Sequence, residues 1–125
     1  MSEPLVSIII PVLRDAEQLS RLIDTLPRIS VEGSSEIIVV DGGADPALAG
    51  LRLRCPNIHW LQSTTGRGVQ MNHGVSVASG RWLCFVHADT CLPVGWDDEI
   101  ARVDAMSDVV GGSFRFVLDA ENWQA

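Results

Sequence analysis

Two short apolar runs constrain this chain more than any other feature. Leu5-Val6-Ser7-Ile8-Ile9-Ile10 and Glu36-Ile37-Ile38-Val39-Val40 are β-branched and nearly free of polar side chains. A strand with one face in water alternates polar and apolar residues, whereas strands like these must be covered on both faces. Between them Ala16, Leu19, Leu22, Ile23 and Leu26 recur at helical spacing. Asp15 is placed to cap that helix, with Gln18 completing a box-like pattern. Pro11 is expected to end the first strand and Pro27 the helix. Strand, helix and strand then form a βαβ unit with a right-handed crossover.

The alternation continues. A weaker helix is expected over 46–53 and a short third strand at Ile58-His59-Trp60-Leu61. A helix capped by Thr64 or Thr65 should run over 66–79 and stop at Gly80. A fourth strand follows over 81–86. A helix over 93–106 would carry Trp96, Ile100 and Val103 on one face, and 109–118 reads as a last strand. The fold class is therefore α/β, a doubly wound, mostly parallel sheet. No repeat or linker interrupts the 125 residues, so a single domain, 1–125, is expected.

Charge excludes some functions. The net charge is −7 and all nine basic residues are arginine, without a basic run. Nucleic acid is therefore not an expected partner. No apolar run spans a bilayer, and Met1-Ser2-Glu3-Pro4 lacks the basic start of a signal peptide. Cys55, Cys84 and Cys91 form no CxxC pair. An odd count favours reduced thiols and a cytoplasmic location.

In doubly wound sheets ligands bind beyond the carboxyl ends of the strands. Polar residues gather there, at 11–15, 41–45 and 87–90. Asp41, before Gly42-Gly43, can accept from a ribose or base, or can simply cap a tight turn. Gly66-Arg67-Gly68 at a helix start offers N–H groups and a guanidinium for a diphosphate, or is a solvated helix start. Asn72 lies further along that helix, to join Arg67 or only to pack. His87 and Asp89 stand at i and i+2, on one side of an extended chain. With Cys91 they suggest zinc, but a structural zinc needs four ligands and no second cluster supplies them. A lone carboxylate with open positions suits magnesium or manganese better.

Taken in order, "SIIIPVLRDAEQLSRLIDTLP", "EIIVVDGGADP", "GRGVQMNHGVSVASGRWLCFVHADTCLP" and "GGSFRF" resemble family-2 glycosyltransferases of the GT-A fold. They look most like the subgroup known as selenodomain-associated transferase 2. The resemblance implies a nucleotide-diphosphate sugar donor of the uridine or guanosine type, Mg2+ or Mn2+, and an acceptor that no residue here identifies. It places Pro11, Asp41 and Gly42 beside the nucleoside, and Arg67 and Asn72 on the nucleotide side. His87-Ala88-Asp89 stands at the family's Asp-x-Asp motif, which makes Asp89, with His87 in place of the first acid, the metal position.

Family members run on for roughly another hundred residues. The C-terminal acceptor half and the catalytic base are therefore expected to be missing, and no acid here matches the base motif. The contrasting expectation is a non-catalytic nucleotide-binding or self-associating module, its homo-oligomers joined through surface that the missing part would cover. Some relatives act on lipid acceptors, so membrane association stays open although no anchor is present.

Overall fold

The computed structural model describes residues 4–29, 35–90, 92 and 95–106. Strands β1 (Val6–Val12), β2 (Ser35–Asp41), β3 (His59–Gln62) and β4 (Trp82–Phe85) form one sheet in the order β3-β2-β1-β4. Every pairing is parallel. Helices α1 (Ala16–Ile29), α2 (Ala49–Arg54), α3 (Arg67–Val77) and α4 (Trp96–Asp104) accompany them, with a 3-10 turn at Pro46–Leu48 before α2.

All seven residues of β1 are buried, as a strand covered on both faces requires. On one face Val6, Ile8, Ile10 and Val12 pack with Leu19, Leu22, Ile23 and Leu26 of α1 and with Trp96 of α4. Each fully buried aliphatic side chain here contributes about 1.5–3 kcal/mol. Ile9, Ile38 and Val40 face the other way, under α3. Helix α3 sits flat on the sheet because Gly74 has no side chain. A Cβ there would stand 2.6 Å from Ile9 Cγ2 and 3.3 Å from Val40 Cγ2.

A polar staple closes the amino edge of the sheet. Glu36 Oε2 accepts from Ser7 Oγ at 2.5 Å, from Ser79 N at 2.6 Å and from Ser79 Oγ at 3.0 Å. His59 Nε2 stands 3.3 Å from Oε1. Burial alone would raise the Glu36 pKa, but these three hydrogen bonds and His59 together outweigh it. The carboxyl therefore titrates below the usual glutamate range.

Several boundaries differ from those expected. β1 continues through Pro11 to Val12. In a parallel ladder a residue's N–H and C=O point to the same neighbour, and successive residues alternate. Ile9 O accepts from Val86 N on the β4 side, and Val12 O from Gly42 N on the β2 side. The N–H that Pro11 lacks would point past the end of β4, so no ladder bond is lost. Helix α1 also continues two residues past Pro27, to Ile29, with the bond that Pro27 cannot make to Ile23 forfeited. Asp15 turns its carboxylate back to Leu13 N at 3.0 Å. Neither Thr64 nor Thr65 caps α3: its N-cap is Gly66, which has no side chain to offer the first turn. The expected last strand, 109–118, and Cys91 lie outside the described residues.

Candidate functional site

The strand order sets where a ligand can enter. From β1 the chain builds outward to β2 and β3, then returns to place β4 on the other side of β1. The reversal between β1 and β4 is a topological switch point, and the loops at its carboxyl end diverge to leave a crevice. The loops there are 13–15 after β1 and 87–90 after β4, with 41–45 after β2 beside the end of β1.

The loop after β2 is tightly organised. Asp41 is 1% exposed, and its carboxylate is spent on its own loop. Oδ1 accepts from Gly43 N at 2.9 Å and Oδ2 from Asp45 N at 2.7 Å. Arg52 Nη2 lies 3.6 Å from Oδ2, with its guanidinium 6.0 Å from the centre of the Trp60 ring. Of the two roles open to Asp41, turn capping is the one its bonds display. Asp45 in turn caps the 3-10 turn through Ala47 N. Ala44 has a φ of 50° and Arg14, on the neighbouring loop, 60°. Left-handed backbone at non-glycine residues costs about 1 kcal/mol or more and is concentrated at functional edges.

Gln70 joins this loop to the rest of the edge. It is 4% exposed. Its Nε2 donates to Val12 O and to Val40 O, both at 2.9 Å, and its Oε1 accepts from Gly66 N at 3.2 Å. The ends of β1 and β2 and the start of α3 thus meet at one amide. Thr65 Oγ1 donates to Gly42 O at 2.5 Å, and Ser63 N to Asp41 O at 3.0 Å. Gly42 leaves room for the Gln70 amide, since a Cβ there would lie 2.5 Å from Gln70 Oε1.

Pro11, Asp41, Gly42 and the N-terminus of α3 that carries Arg67 are therefore brought together, and Arg67 itself is exposed. Asn72 is not drawn into this network. Two residues beyond Gln70 it is turned about 200° around the helix, and it is exposed. After β4, the extended chain that would put His87 and Asp89 on one side gives way to a turn, closed by Thr90 N on His87 O at 3.0 Å. Ala88 is buried, while His87 and Asp89 are exposed. Ala88, Asp89 and Thr90 share with Gln18, Arg21, Leu22 and Thr25 of α1 a cavity of about 150 Å³.

Among the described residues no three His, Cys, Asp or Glu side chains group as a metal site. His59 is at the opposite edge, against Glu36. Asp89 offers one exposed carboxylate, a hard oxygen donor with room for further ligands. That suits a cation sharing its coordination with a diphosphate rather than one enclosed by protein.

Arg52 and Gln70 escape a reading of the sequence. Arg52 is one of several arginines near the surface. The signal for Gln70 is an amide four residues before Gly74, on a helix face that should be apolar.

The sequence profile described as Glycosyl transferase family 2 matches residues 7–124. Glycosyltransferases named for PGL/p-HBAD biosynthesis, from Mycobacterium bovis and Mycobacterium tuberculosis, are 37% identical over 124 residues. That match covers 90% of this chain and 47% of those proteins, so the chain spans about half their length. Among solved structures, S. aureus TarS residues 1–349 superposes with a TM-score of 0.66 at 21% identity, covering 80% of this chain and 32% of that one. The mannosyltransferase PcManGT of Pyrobaculum calidifontis, solved with GDP-Man and Mn2+, gives 0.65 at 20% identity, covering 86% and 34%. At such identities the two structures establish the fold alone.

Proposed function

The chain belongs to glycosyl transferase family 2, and from that premise we propose that its carboxyl sheet edge binds a nucleotide-diphosphate sugar for transfer to an acceptor. The observation that carries the reading is the reversal of strand order between β1 and β4, the place where ligands of doubly wound sheets enter; the loop of Asp89 follows β4, and that of Asp41 follows the neighbouring β2. The nucleoside lies against Pro11, Gly42 and the Asp41 loop. Asp41 acts there by holding the loop's shape, because its oxygens are engaged within it. The start of α3, with Arg67, presents the positive end of a helix and a guanidinium to the phosphates. Arg67 takes the phosphate role, and Asn72 a place further out on the nucleotide side.

Asp89, beside Ala88 and His87, holds Mg2+ or Mn2+. Bound there, the cation would neutralise charge on the departing diphosphate. PcManGT, with GDP-Man and Mn2+, supports this choice of donor and metal by resemblance. UDP and GDP titrated into the full chain by calorimetry, with and without Mn2+, test the reading. Manganese-dependent binding of either nucleotide is expected; no heat with both at millimolar concentration overturns it. Binding without sugar transfer would identify a nucleotide-binding module instead.

A further inference from the structure

The amide of Gln70 lies beneath the loops of the edge, and its bonding is complete in a way that packing alone does not require. Both Nε2 hydrogens are used, on carbonyls from two different strands, and Oε1 takes the N-cap N–H of α3. The opposite orientation of the amide would aim Oε1 at two carbonyls, so the bonds themselves fix which end is nitrogen. An apolar residue could fill this place against the sheet. The amide adds a constraint on distance: the last rung between β1 and β2 cannot open, nor α3 slide along the sheet, without unpairing a buried polar group.

Both elements that the site depends on converge there. Val12 O also takes Gly42 N, which anchors the Asp41 loop, and Gly66 immediately precedes Arg67. We propose that Gln70 is a positioning residue of the donor site, an internal clip that sets the spacing between the Asp41–Gly42 loop and the Arg67 end of α3. The inference rests on the donor-site reading above and adds a residue that touches no ligand. A clip of this kind acts on affinity, because a nucleotide that bridges loop and helix end needs both at one separation.

The test separates positioning from simple stabilisation. Gln70→Met keeps the shape and removes all three bonds; Gln70→Glu keeps the shape and, when protonated, restores one donor. Each is compared with the natural chain at a temperature where circular dichroism shows it folded. With GDP or UDP and Mn2+, Gln70→Met should bind about tenfold more weakly, the equivalent of one buried hydrogen bond. Gln70→Glu should bind more tightly, relative to the natural chain, as pH falls from 8 to 5.5. Folded variants that bind within twofold of the natural chain, with no such pH trend, overturn the proposal while leaving the donor site standing. Should neither variant fold, the natural chain still decides. The Gln70 side-chain NH2 resonances should exchange slowly with solvent and shift on nucleotide addition, and resonances that do not shift overturn the proposal. A natural chain that binds neither nucleotide overturns the donor-site reading itself.

Discussion

An aspartate at the corner of a turn offers a cation one carboxylate, so the metal reading stands or falls on a single residue. Asp89→Ala should weaken manganese-dependent nucleotide binding by at least about tenfold, the scale lost when a metal-site partner is removed. Calorimetry should show metal-free binding little changed. Glu36, at the other edge, makes a prediction about pH. Its folded pKa is depressed, so its contribution is fully present above the unfolded value and is lost as pH falls through the folded one. Glu36→Gln should therefore cost about 1 kcal/mol at pH 7, and the gap to the natural chain should close towards pH 3. Urea unfolding at the two pH values measures it. A deficit that persists at pH 3 would mean the staple acts by shape rather than charge. Neither role for Asp41 could be chosen from the letters Asp-Gly-Gly, because capping and ligand binding ask for the same residue; its bonds to Gly43 N and Asp45 N required the folded loop.

At the scale of elements, α3 carries most of the burden. It brings Arg67 to the edge, and it lies close to the sheet only because Gly74 lacks a side chain. Gly74→Ala gains helix propensity but must displace Ile9, and a net loss of about 1–3 kcal/mol is expected. Gly50→Ala in α2 meets nothing within 4 Å and should instead stabilise by about 0.5–1 kcal/mol. Thermal unfolding of the pair shows whether the sign reverses as stated. The helices and strands themselves were legible from period and burial pattern. Their ends were less so. Pro11 is a stop signal only where its missing N–H had a ladder acceptor, and the end of β4 removed that condition; Pro27 stands two residues before the end of α1, so the helix stops close behind it.

For the molecule as a whole, the sheet ends on one side at β4 among the described residues, and it leaves Leu83 and Phe85 42% and 49% exposed. Alternate apolar residues on a sheet edge favour association through that edge. Leu83→Ser with Phe85→Ser should lower the weight-average mass in sedimentation at high concentration, with nucleotide binding unchanged. An identical mass for both chains would place any self-association elsewhere. The sequence by itself determined the α/β class, the two-sided burial of β1 and β2, and the three loops at which polar residues gather. Those properties follow from side-chain periodicity, which is local. Tertiary structure alone decided that Asp41 is consumed by its own loop, that Asn72 faces away from the sheet, and that Gln70 clips two strands to a helix. Each depends on which backbone groups from distant segments come within about 3 Å of one another, and hydrogen bonding at that range is not written in the spacing of residues along the chain.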